Sequence, residues 1–146
     1  MKIVSTMVAL ALAFPPSTTS AADGDARELV KMPAPMQQHL LANMRDHLQA
    51  ITEIQQALAA GEFDRASEVA ENRLGMSSLA THGASHMAPF MPKSMQEIGS
   101  QMHQAASQFA IVSQETAVDG NLKRAIGALS KITRVCVACH TGYRAH

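Results

Sequence analysis

Near its C-terminal end the chain reads VCVACHTGYR, residues 135–144, and Cys136 and Cys139 are its only two cysteines. His140 follows the second directly. Cysteines at i and i+3 on a helix stand one turn apart on one face. Two thiols so placed can add to the two vinyl groups along one porphyrin edge, and the imidazole of the next residue can then reach the iron. Cys-X-X-Cys-His is the signature of c-type haem attachment. Cys136 and Cys139 are therefore the expected thioether positions and His140 the expected proximal iron ligand, with one covalent haem c per chain.

Three other readings of the pair are weaker. A redox dithiol of the thioredoxin kind needs its cysteines at the start of a helix in a βαβ setting, where the dipole lowers a thiol pKa. Here they fall at the end of a helical pattern. Structural zinc needs four ligands, and two thiols and one imidazole fall short. Coincidence requires the only two cysteines to land at this spacing, immediately before a histidine.

The elements that must position the motif follow from apolar periodicity and breakers. A first helix is expected over about 35–60, with Leu41, Met44, Leu48, Ile51 and Leu58 on one face and Gly61 as its stop. A second is expected over 64–81, capped by Asp64, with Ala66, Val69, Ala70 and Leu74 inward. Gly83, Pro89 and Pro92 break the run. Ser94 is the expected cap of a third helix over 94–118, whose stripe is Met95, Ile98, Met102, Ala105, Phe109 and Val112. Gly120 ends it and Asn121 caps a fourth over 121–144. There Leu122, Ala125, Ile126, Leu129 and Ile132 continue onto Cys136, His140 and Tyr143. No strand alternation is visible. The expected fold is all-α: four helices with short connections, an antiparallel up-down-up-down four-helix bundle.

Composition narrows the partners. Residues 1–22 have the form of a cleavable export signal: Lys2, an apolar run too short to span a bilayer, then small residues at Ser20 and Ala22 before Asp23. The expectation is a periplasmic protein with a single domain over 23–146 and no membrane insertion. Lys2 is the only charge in that leader, so 11 basic and 12 acidic residues remain, a balance that excludes nucleic acid as a partner. Beyond the leader the chain keeps eight Met but only three Phe and one Tyr. A core of Met and Ala would accept a large planar apolar guest.

With these features together, the chain resembles the cytochrome c′ family, the class II c-type cytochromes. The likeness rests on the leader, the four-helix pattern, the CxxCHxxYR ending over 136–144, and a similarity of Asn43–Leu48 (NMRDHL) to the family's first helix. It implies thioether links at Cys136 and Cys139, His140 as proximal ligand, and Arg144 near the proximal haem face. A solvated cation favoured by the helix C-terminal dipole is the equal reading for Arg144. Tyr143 reads as a core aromatic.

The resemblance also frames the sixth position on the iron. Some members leave it open behind an apolar residue, so that NO or CO binds. Others place a methionine there, which raises the potential and suits electron transfer. Alignment from the His47 side selects Leu41; counting back from Gly61 selects Met44. The reading adopted is Met44 as sixth ligand, with Leu41 the distal residue if the site is open. His39 and His47, among polar neighbours, are expected to be partly wet.

A second constellation runs from Met76 to His103. His82 and His86 are i, i+4, the separation for two imidazoles on one helical face to share a metal. Met87, Met91 and Met95 are spaced to offer thioethers to Cu(I). The plainer reading of these residues is core packing and loop contacts, and such a loop beside a haem edge could also dock a redox partner. No catalytic triad, carboxylate pair or phosphate loop is present, so no enzymatic activity is expected. The leading function is single-electron carriage to redox partner proteins; gas binding and copper binding through 76–103 are the alternatives. Homodimerisation through exposed helix faces is left open.

Overall fold

The helix stops read from the sequence fall where local chemistry puts them. Gly61 closes the first helix in the left-handed conformation, φ 75°, which glycine adopts without a Cβ penalty. Gly120 closes the helix expected over 94–118 in the same way. The Asn121 side chain accepts a hydrogen bond from the Arg124 amide at 3.1 Å, so it caps the last helix as expected.

The structure, a computed structural model, describes residues 24–146. The expected leader over 1–22 lies outside the described residues. Among those residues the chain is all-α apart from one pair of two-residue strands. The helices are α1 (Ala34–Ala60), α2 (Phe63–Arg73), α3 (Ala84–Met87), α4 (Lys93–Asp119) and α5 (Leu122–Gly142). No described helix is long and apolar enough to cross a membrane.

The second helix departs most from expectation, ending at Arg73 rather than 81. A Cβ at Gly75 would lie 2.8 Å from the Glu71 carbonyl oxygen, so only glycine fits where the chain leaves the helix. Glu71 then receives the Ser77 amide and hydroxyl and holds the chain in a 3-10 turn, Met76–Ser78. The connection to α4 is consequently long, containing α3 and a second 3-10 turn, Ala88–Phe90. Neither expected serine or aspartate cap forms. Glu62 occupies the N-cap of α2 without a side-chain bond, and Pro92 that of α4. Asp64 sits in the first turn of α2, where its charge still complements the dipole.

The closest helix pairs are α4 with α5, α2 with α4, and α1 with α2; α1 and α5 are not among the closely packed pairs. Alanines make these seams: Ala50 and Ala57 of α1, Ala66 and Ala70 of α2, Ala106 of α4 and Ala125 of α5 are all buried. Phe109, Ile54 and Ile132 fill the centre without any exposure. Because the α1 seam uses Ala50, Ile54 and Ala57, its buried face is rotated from the stripe expected. Leu40 and Asn43 are buried, Leu41 and Met44 half-buried, and Leu48 is 67% exposed. On α5, Ile126 is exposed where an inward position was expected. Arg73 at the end of α2 clamps Asp46 and Glu53 of α1, the latter at 2.7 Å.

The strands join the two ends of the described chain. β1 (Glu28–Leu29) runs parallel to β2 (Tyr143–Arg144), and the Val30 amide donates to the Arg144 carbonyl at 2.8 Å.

Phe109→Ala removes the largest fully buried side chain from an alanine-lined core that has little else to collapse with. The expected cost is ~3–5 kcal/mol of unfolding free energy, measured by urea denaturation.

Candidate functional site

Cys136 and Cys139 lie in the last two turns of α5, both half-buried and neither in a disulfide. Cys136 packs against the main core and Cys139 against a second, smaller cluster. Burial pushes both thiols up from their ordinary value, and the neighbouring Cys136 pushes Cys139 further. Both therefore stay protonated at neutral pH, the reverse of a dithiol activated at a helix N-terminus. His140 is exposed rather than inward, and among the described residues nothing bonds its ring. Its carbonyl accepts from Arg27 Nη1 at 3.4 Å.

The second cluster is built largely of methionine. Val30, Leu40, Met87 and Met95 are buried at its centre, with Met32, Met36, Met44, Met91, Cys139 and Tyr143 packed on it. Met44 is thus brought to the cluster that holds Cys139, whereas Leu41 belongs to neither cluster. The stretch 87–95 contributes its three methionines to the same place despite the prolines. Met102 joins the main core instead, and Met76 is exposed. Thioether side chains repack at low cost, so this cluster can adapt its shape.

Tyr143 leaves the helix in extended conformation, half-buried, and its hydroxyl pairs with Ser94 Oγ at 2.6 Å. That contact occupies the serine expected to cap α4. Arg144 lies 3.7 Å from Asp25 through Nε. Asp25 is held down at about 2, chiefly by its hydrogen bonds from Arg27, with Arg144 a smaller contributor. Gln37 of α1 donates to the Ala145 carbonyl, so the segment after the motif is fastened to both the N-terminal strand and α1.

His82 and His86 do not share a face. His82 is buried at 7% exposure, while His86 is exposed, because Gly83 takes φ 62° between them and turns the chain before α3 begins. His82 instead meets two histidines from other elements. Its ring centroid lies 4.8 Å from His47 of α1 and 5.6 Å from His103 of α4. His103 belongs to the expected 76–103 constellation, whereas His47 does not; His47 is half-buried and His103 is 8% exposed. The i, i+4, i+8 series His39, Asn43, His47 on one face of α1 is the signal that could have revealed it. Burial is the main cause lowering both His47, to about 4, and His82, with the other histidines adding to it and Asp46 opposing.

The His47 value gives a pH dependence with a definite sign. The folded state holds His47 neutral well below its ordinary value near 6.5, so the unfolded chain binds more protons between about pH 6.5 and 4. Stability is complete above that window and falls as the pH drops through it. Urea unfolding should show up to ~3 kcal/mol less stability at pH 4 than at pH 7 from this group. The difference should shrink in His47→Gln.

No protein-family model matches the chain, and neither does any curated protein or solved structure.

Proposed function

We propose that this chain is a periplasmic monohaem c-type cytochrome that carries single electrons, folded as an antiparallel up-down-up-down four-helix bundle similar to that of the cytochrome c′ family. The observation that carries the proposal is the donor set at the end of α5. Two unbonded thiols stand one turn apart near the end of the helix, with an exposed imidazole on the next residue. For the bundle, the support is the packing order α1–α2–α4–α5, with the α1–α5 side the loose one. Met44 and Cys139 share a deformable cluster on that side, and the Leu41–Met44–Leu48 stripe of α1 is only partly covered by protein.

In this reading Cys136 and Cys139 would hold the haem, His140 would ligate its iron and Met44 would supply the sixth ligand. Bound there, the haem supplies a reversible one-electron couple whose potential His/Met ligation raises. The methionine cluster keeps water from that side, and the β1–β2 pair with the Asp25–Arg144 contact fixes the chain directly after His140. Arg144, with Asp25 beside it, lies in the short strand that follows the motif, and in this reading it would lie near the proximal face. No side chain in this set is asked to break a bond, so the role is carriage and not catalysis.

Visible spectra of protein exported with a c-haem maturation system test this directly. Sharp reduced α and β bands unmoved by CO are the expected result, and Met44→Ala should convert the iron to high spin. A broad reduced spectrum that shifts with CO would transfer the assignment to gas binding behind Leu41. Cys136→Ser/Cys139→Ser should leave no haem that survives acid–acetone extraction; covalent haem in that variant, or none in the unsubstituted chain, would overturn the proposal.

A further inference from the structure

Cys139 is half-buried although it lies in the last turn of α5, where Val137, Ala138, His140 and Thr141 around it are all exposed. It packs on the small cluster whose buried centre holds Val30, Leu40, Met87 and Met95. Of these four, Val30 alone belongs to no helix. It directly follows the N-terminal strand and is only 3% exposed. We propose that residues 25–32 form a strap that closes over the Cys139 side of the motif and shields that thiol, so that Cys139 reacts freely only when the strap lifts.

The strap is fastened to the chain directly after Cys139. Arg27 Nη1 donates to the His140 carbonyl at 3.4 Å. Glu28 and Leu29 pair with Tyr143 and Arg144, and the Val30 amide donates to the Arg144 carbonyl at 2.8 Å. Asp25 holds the Arg27 guanidinium through Nε at 2.9 Å and Nη2 at 2.6 Å, and stands 3.7 Å from Arg144 Nε. The ion pairs are exposed and contribute little, and two residues of ladder do not hold alone. Leu29 is 39% exposed, so the buried Val30 side chain is the main apolar anchor, with Met32 packed beside it on the same cluster. A segment held by one buried side chain and a few exposed contacts opens without the helices coming apart.

Cys136, one turn earlier, is covered differently. It packs with Val135 on the main core of Phe109, Leu129 and Ile132, and among the described residues none before Ala50 enters that core. The two thiols therefore answer to different openings. Cys139 answers to lifting of the strap, and Cys136 to loosening of the helix packing itself. For haem attachment, a use that rests on the reading proposed above, the strap is what must move aside before the Cys139 thioether forms. The shielding of the thiol does not depend on that reading.

The test is the rate of alkylation by N-ethylmaleimide of the full, haem-free chain, held reduced at constant pH and followed by mass spectrometry. Cys136→Ser leaves Cys139 as the single thiol, and Cys139→Ser leaves Cys136. Adding Val30→Ala, which removes two buried methyl groups from the anchor, should raise the Cys139 rate ~10-fold. The Cys136 rate should stay as it is. A Cys139 rate that does not move, or both rates rising together, refutes the strap. Should Val30→Ala unfold the chain by far-UV circular dichroism, Arg27→Gln decides, because Arg27 is exposed and lies in neither core. Cys139 should then react ~2–5-fold faster, and no change refutes the strap. None of these rates reads haem, so a chain that never acquires covalent haem would sink the function proposed above and leave the strap standing.

Discussion

A single backbone carbonyl, that of His82, accepts hydrogen bonds from both Asn43 and His39 of α1. It lies in the one long connection of the fold, where the chain has left α2 and has not yet entered α4. A buried carbonyl without a partner would cost ~1–3 kcal/mol; with two donors it becomes the point where the connection is tied down. Everything downstream inherits its placement. The His82 ring is delivered to His47 and His103, and Met87, Met91 and Met95 are delivered to the cluster beside Cys139. Gly83 must follow directly, both for its positive φ and because a Cβ there would stand 3.1 Å from His39 Nε2.

What could be read in the residues was what is decided locally. The stops at Gly61 and Gly120 and the cap at Asn121 depend on one or two residues each, and these fell in place. The cysteine pair and its histidine were likewise legible as a helix-borne set at the end of α5. The buried face of α1 was not, because apolar periodicity gives weight to Leu and Met, whereas the seam with α2 is made by alanines that let two backbones approach. The end of α2 was missed for a different reason: the crowding of Gly75 against Glu71 exists only once the helix is folded. His103 was recognised as present in a dense segment, but its company depended on a turn whose direction is set by α1.

The two clusters differ in character. The methionine cluster is soft and apolar and borders the cysteines, while the histidine cluster is polar and tied by hydrogen bonds to backbone carbonyls. α1 supplies both, through Met36 and Met44 on one side and His39, Asn43 and His47 on another. Arg73 holds that helix through Asp46 and Glu53, an ion-pair pair at the surface whose value lies in register more than in energy. A shift of α1 along its axis would therefore disturb both clusters together.

The strand pair that joins the chain's ends sets an order of events. The Arg27 contact to the His140 carbonyl spans 113 residues, and closing so long a loop has an entropic cost that neighbouring helices do not face. Two residues of ladder and a few exposed contacts return little against it, so the ends meet only after the helices have packed. In the folded chain the same contacts are the first to part, on the timescale of local opening rather than of global unfolding. The last turn of α5, with Cys139 and His140, thus borders the contacts that open early, while Ile132, two turns earlier, opens with the core.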